Sequence, residues 1–330
     1  MLRRIIFIGM LMATSVFGNV STVHHHELAS SEGDHYEWAQ AVGGGFDELL
    51  ISWNAQRPEQ GAFQLYVSLQ VDGVWSPWAF YALWGSNNQF TTQQEVQEFP
   101  MRVYQDCVSV LEGKRASAFR VLVLSVDGAP LGRFRALHVT TTDKSMRGPP
   151  KKKSWKAVSL PVSGLSQMTQ PDEVKERLCS PTSTLSVVRY LSGARDMSIL
   201  QFADKVHDHY FLIYGNWILN VAQAYMELGD PWRCWVSYLD DFDAIHRRLE
   251  TGIPVVVSVR GPLPGSAEPY SKGHLLVVTG YDPANSEVLC MDPAFPVDDA
   301  AHVRYRYEDF MEAWARRNHI AYLFERSEEL

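Results

Sequence analysis

Gly273-His274-Leu275-Leu276-Val277-Val278-Thr279-Gly280-Tyr281 is followed by Asp282-Pro283-Ala284-Asn285 and then by Val288-Leu289-Cys290-Met291-Asp292-Pro293. The two outer segments are apolar runs of strand length, and the Asp-Pro-Ala-Asn between them is a turn signal, so the stretch predicts an antiparallel hairpin. A turn centred near Pro283 sets His274 opposite Asp292. Directly opposed residues have Cβ atoms ~4.5–5.5 Å apart, near enough for a carboxylate to accept an imidazole N–H. That bond fixes the tautomer and leaves the second ring nitrogen for another partner.

Upstream of the hairpin the spacing is helical. Leu185, Val188 and Leu191 recur at helix period, as do Ile218, Ala222, Tyr225 and Met226, and then Phe242, Ile245 and Leu249 ahead of Gly252. Phe310, Ala313 and Trp314 repeat the pattern beyond it, and Ile253-Pro254-Val255-Val256-Val257 is a further apolar run. Helices first, then strands joined by tight turns, predict an α+β domain over 158–330 with a mainly antiparallel sheet.

From about residue 45 to 140 the period is two. Phe63, Leu65, Val67 and Leu69 alternate with Gln64, Tyr66, Ser68 and Gln70. Leu49-Leu50-Ile51, Met101 to Tyr104, Phe119 to Val123 and Phe134 to Leu137 are further strand candidates between turn signals at 57–61, 72–73 and 127–130. Residues 27–143 therefore read as an all-β sandwich. Trp53, Trp75, Trp78, Tyr81 and Trp84 fit its core, with sugar stacking on exposed rings as the other use of such side chains. Residues 144–157 hold six basic residues with no acid and include Pro149-Pro150, the mark of a solvated linker able to touch an anionic surface polymer.

Met1-Leu2-Arg3-Arg4 and the apolar run Ile5 to Val16 read as a secretory signal peptide over 1–18, which implies a secreted or periplasmic protein. No other run reaches the ~18 apolar residues of a transmembrane helix, so none is expected in the mature chain. A length of 330 residues, 46% of them hydrophobic and 21% charged, is that of a globular chain of about two domains. The net charge of −8 argues against nucleic acid as a partner. His24-His25-His26 and His207-Asp208-His209 lack downstream ligands at zinc spacing, so neither a metal nor a cofactor is expected.

Leu178-Cys179-Ser180-Pro181-Thr182 carries the remaining chemistry. Ser180 is a preferred N-cap and Pro181 is favoured in the first turn, which puts the Cys179 thiol at a helix mouth where backbone N–H groups and the helix dipole favour a thiolate. Such a thiolate with the His274–Asp292 pair has the parts of an activated nucleophile. The Cys179 N–H and one upstream side-chain amide would stabilise an oxyanion, with Gln167 the first candidate and Gln170 its competitor. Cys234 and Cys290 are able to pair in an oxidising compartment.

Residues 158–325 resemble the papain-like cysteine peptidases of the bacteriocin-processing, double-glycine leader type, and most closely a secreted bacterial branch. The resemblance rests on Ser166-Gln167-Met168, Cys179-Ser180-Pro181-Thr182-Ser183, Tyr214-Gly215-Asn216-Trp217, Gly273-His274-Leu275 and Asp292-Pro293. It implies a papain-like fold with Cys179, His274 and Asp292 as triad and Gln167 in the oxyanion hole. Ser180 stands where the group often has Gly, and the transporter segments of the leader-processing members are absent, so cleavage of Gly-Gly leaders is not implied. The expected function is hydrolysis of a peptide or protein substrate through an acyl-enzyme. The rivals are a cell-wall peptide or isopeptide hydrolase, held on the wall by the N-terminal region and linker, and a catalytically silent surface-binding protein.

Overall fold

The computed structural model describes residues 21–28, 33–146 and 154–327. The expected signal peptide and the middle of the expected linker lie outside the described residues. Within them are three sheets and five α-helices, an α+β composition.

Two sheets lie N-terminal. The first runs Ser21–Glu27, Phe134–Thr142, Glu48–Ala55, Cys107–Val110, Met101–Tyr104, Gln93–Glu95. The second runs His35–Phe46, Ala116–Val126, Ala62–Val71, Ala79–Gly85, Gln89–Thr91. Their inner faces meet: Phe63 stands edge-on to Phe134 with centroids 5.4 Å apart, and Trp53 to Trp84 at 5.9 Å. Trp53, Tyr81 and Trp84 are fully buried there, whereas Trp75 and Trp78 are only half-buried and both lie against the Arg120 guanidinium. The aromatic cluster thus divides: Trp53, Tyr81 and Trp84 on the longer strands fill the core, while Trp75 and Trp78, on and beside the two-residue strand Val74–Trp75, stay partly exposed. The strand Ser21–Glu27 extends the first sheet upstream of residue 27.

The third sheet runs Trp232–Tyr238, Ile320–Arg326, Val255–Val259, His274–Asp282, Glu287–Met291, His302–Arg306, all antiparallel. Its two faces are covered differently. Val255, Val257, Leu276 and Val278 pack on α4 (Phe242–Glu250) and α5 (Tyr307–Ala315). Val256, Leu275, Val277, Tyr322 and Phe324 face α1 (Cys179–Ser192), α2 (Ile199–Val206) and α3 (Trp217–Leu228), and that core continues without a break into the N-terminal sheets.

The join between the regions is polar as well as apolar. Trp232–Tyr238 is an edge strand of the third sheet, and an edge carries unpaired N–H and C=O groups. Here they are met by side chains from the outer face of the first sheet. Asn54 Nδ2 donates to Cys234 O (2.8 Å) while Asn54 Oδ1 accepts from Cys234 N (3.2 Å). Ser52 Oγ accepts from Val236 N (3.0 Å), and Thr140 Oγ1 donates to Val236 O (2.8 Å). Every residue of Glu48–Ala55 is buried in consequence, on both faces, which period-two reading does not anticipate.

The stretch 144–157 is not wholly a solvated linker. Lys144 Nζ pairs with Glu48 (2.8 Å) at one end. At the other, Trp155 is buried against Phe242, Tyr281 and Tyr307, and its Nε1 donates to Asp243 Oδ1 (3.2 Å).

Candidate active site

α1 begins at Cys179 itself, with Leu178 as N-cap, so Ser180 is not the cap that its residue type suggests. Ser180 Oγ instead bonds Tyr322 Oη (2.8 Å) inside the core, and Thr182 N donates to Leu178 O (2.9 Å). The expectation of a thiol in the first helical turn stands with the helix start shifted. Cys179 is half-buried.

His274 opens its strand, after Gly273 at φ +98. The left-handed backbone favours glycine there, and a Cβ would sit 3.1 Å from Arg317 Nη2, close enough that the guanidinium would have to give way slightly. The His274 imidazole is almost fully buried, and its Nε2 donates to Asp292 Oδ1 (2.8 Å).

The hairpin register differs from the expected one. Asp282 pairs with Glu287 and Val277 with Met291, so the turn occupies residues 283–286 and the pairing is displaced by about two residues. Carried one residue further, that register sets Leu276 opposite Asp292. Asp292 lies just past the end of its strand, and the contact to His274 is a diagonal one, still within reach of long side chains.

Two residues not picked out from sequence complete the arrangement. Tyr270 Oη donates to Asp292 Oδ2 (2.8 Å), and Tyr305 Oη donates to the same oxygen (2.6 Å). Ala294 N donates to Oδ1 (3.0 Å). Asp292 is fully buried. Burial alone would raise its carboxyl, but the facing His274 and these donors hold it below the usual carboxylate range. Tyrosines 22 residues before and 13 after Asp292 carry no local pattern; only the fold brings them together.

Cys179 and His274 lie near enough to interact, and each shifts the other. Burial pushes the Cys179 thiol up, yet the neighbouring His274, with backbone groups of Leu275 and Ser180, leaves it below its ordinary value. Burial pushes the His274 imidazole down, and the Asp292 carboxylate overrides it upward, aided by Cys179. With Nε2 on Asp292, the ring's other nitrogen is left for the sulfur. Thiol, imidazole and carboxylate therefore form one chain that favours thiolate–imidazolium over the neutral pair.

Gln167 begins a short 3₁₀ turn (Gln167–Thr169) capped by Ser166, whose Oγ accepts from Met168 N (3.0 Å). Its backbone N donates to Pro293 O (2.9 Å), beside Asp292. Its Nε2 donates to Lys175 O (2.7 Å), in the segment leading to Cys179, which leaves a second amide hydrogen. Gln170 is half-buried, with its Nε2 on Thr169 Oγ1 (2.8 Å).

Residues 159–322 match the Peptidase_C39 like family. The match supports a papain-like cysteine peptidase of the C39 type, a hydrolase of peptide bonds. No curated protein matches the chain. The matched region spans Cys179, His274, Asp292 and Gln167 and stops short of the two N-terminal sheets.

The other cysteines do not pair. Cys234 and Cys290 are free, and the two thiols lie in the separate cores on opposite faces of the third sheet, which corrects the pairing that an oxidising compartment would allow. His207-Asp208-His209 serves a loop: Asp208 Oδ2 accepts from Thr91 N (3.1 Å), Thr91 Oγ1 (2.6 Å) and Asn216 Nδ2 (2.9 Å). Among the described residues no cluster of acids, histidines and cysteines is arranged to hold a metal ion, and no helix is long and apolar enough to cross a membrane.

The N-terminal region also reaches α3 on this side. Asp106 Oδ1, from the turn between Met101–Tyr104 and Cys107–Val110, accepts from Trp217 N (2.9 Å) and Ile218 N (3.2 Å) at the helix start. Burial pushes the Asp106 carboxyl up to about 7 despite those donors. Arg317, whose guanidinium crowds Gly273, lies over the Trp217 ring at 5.4 Å.

Proposed function

We propose that this protein is a secreted cysteine peptidase in which Cys179, His274 and Asp292 act as the triad and Gln167 completes the oxyanion site. The observation that carries the reading is the buried His274 imidazole joined to Asp292 through Nε2 and coupled electrostatically to the Cys179 thiol at the start of α1. The Cys179 thiolate attacks the scissile carbonyl carbon, and the oxyanion is held by the Cys179 N–H and the second amide hydrogen of Gln167. His274⁺ gives its proton to the leaving amine as the C–N bond breaks, which leaves a thioester and a neutral imidazole. His274 then takes a proton from water as the hydroxide adds to the thioester, and Cys179 departs as thiolate. Asp292 holds the ring orientation throughout.

Carbamidomethylation by iodoacetamide at mildly acidic pH tests the reading, since an isolated thiol (pKa ~8.5) is almost unreactive there. Wild type should label and Cys179→Ala should not, with hydrolysis of casein peptides falling at least ~10³-fold. Labelling that survives the substitution overturns it and leaves the silent surface-binding protein. kcat/KM should be bell-shaped. Its acid limb lies below the ordinary thiol range because Cys179 is lowered, and its alkaline limb lies above the ordinary imidazole range because His274 is raised.

We further propose that residues 27–143 are an accessory β-sandwich attached through 144–157. The half-buried Trp75 and Trp78 on its outer side favour a second reading, hydrolysis of a cell-wall peptide or isopeptide with this region on the polymer. Purified sacculi and casein, digested side by side, separate the two substrates.

A further inference from the structure

The loop from Gly261 to Gly273 closes on one residue. Gly261 N and Gly273 N both donate to Tyr270 O, at 3.0 and 2.9 Å, so the carbonyl of Tyr270 clasps both ends. Tyr270 itself has φ +22, a backbone state that a residue with a Cβ adopts only at a cost. Its side chain turns inward and is 3% exposed. The phenol lies flat on the His274 imidazole, with centroids 4.0 Å apart and planes within 14°, and its hydroxyl reaches past the ring to Asp292 Oδ2. Tyr305 meets the same oxygen but does not share the stack.

We propose that Tyr270 is a positioning residue for the reaction above, confining the His274 ring to its own plane while pinning the carboxylate that the ring leans on. The inference rests on the assignment of Cys179 as nucleophile. The physical case has two parts. Asp292 accepts from His274 Nε2 and Ala294 N on one oxygen and from both tyrosines on the other, so its acceptor sites are filled and it has no alternative orientation. A ring stacked at van der Waals distance cannot turn about its Cβ–Cγ bond without driving into the phenol. It can still move edgewise. In-plane travel is the motion needed to carry a proton from the sulfur side to the leaving nitrogen while the bond to Asp292 persists. The electron-rich face of the phenol also favours the imidazolium over the neutral ring, a contribution absent from an aliphatic side chain.

Two substitutions separate the stack from the hydroxyl. Tyr270→Phe keeps the ring and loses the bond to Asp292; Tyr270→Leu loses both. The readouts are kcat per labelled Cys179, so that only folded sites count, and the alkaline limb of kcat/KM. Tyr270→Leu should lower kcat about tenfold with KM little changed. Its alkaline limb should lie about one pH unit below that of Tyr270→Phe. A residue that merely fills space would alter the number of labelled sites without separating the two limbs. Coincident limbs and a wild-type kcat per site in Tyr270→Leu overturn the proposal. A wild-type protein with no labelled Cys179 instead overturns the assignment of the nucleophile, so the two failures are distinct.

Discussion

The two halves of the candidate site are held up by different parts of the molecule. His274 and Asp292 stand on the third sheet, whose outer core of α4, α5, Trp155 and Trp314 meets the N-terminal strands only at its rim, through Val23 and the His25 and His138 rings beside Trp235. Cys179 stands on α1, whose core is shared with α2, α3 and both N-terminal sheets. One side of the site is largely self-supporting and the other is braced from outside the region matched by the family. The difference identifies the N-terminal sheets as part of the scaffold that sets the sulfur against the imidazole, whatever else they bind.

The most severe way to break this asymmetry is to remove the brace. Residues 154–327 alone, which keep Trp155, should show no cooperative melting transition in calorimetry, since the α1–α3 face and the Trp232–Tyr238 edge lose their cover together. A sharp transition with Cys179 still labelled would dismiss the brace. Next comes the self-supporting core. Trp155→Ala should cost about 3–5 kcal/mol by denaturant unfolding yet leave the iodoacetamide rate of the folded fraction unchanged. Asn54→Leu strips both partners from the Cys234 peptide groups and should cost about 2–4 kcal/mol, with a slower labelling rate because the loss falls on the braced side.

The smallest effect sharpens the comparison through pH. Asp106 is raised to about 7 in the folded chain, against ~4 for an ordinary carboxylate, so the native state binds the extra proton between those values. Its part in stability is therefore full below ~4 and declines as pH rises toward 7, by at most about 1.4 kcal/mol per pH unit. Asp106→Asn keeps an oxygen for Trp217 N and Ile218 N while removing the titration, so its stability should vary less over that interval. An unchanged pH slope in equilibrium unfolding would rule out this contribution.

Much of the site was legible because its parts are local. A Cys ahead of Ser-Pro, a His opening an apolar run and an Asp closing the next one each announce themselves in a few residues, and one hairpin turn brings two of them near. The register came out about two residues away because Asp282-Pro283-Ala284-Asn285 locates a turn without setting how many residues it holds. Alternation also revealed the N-terminal strands. It could not reveal that Ser52, Asn54 and Thr140 turn their polar side chains to another backbone, since a buried polar face reads in sequence like a wet one. Tyr270 and Tyr305 were hidden for a related reason: nothing near either residue marks its partner, which lies across a loop or on the next strand.

The way Asn54 grips Cys234 has one more consequence. A strand border matched by amide and hydroxyl groups from a pleated neighbour accepts only a single alignment, because side chains alternate where a main chain would repeat. Sliding by one position would turn Asn54 away and present carbonyls to nothing. The seam is therefore keyed, and Trp232–Tyr238 is closed to strands from a neighbouring molecule for as long as the key stays in place.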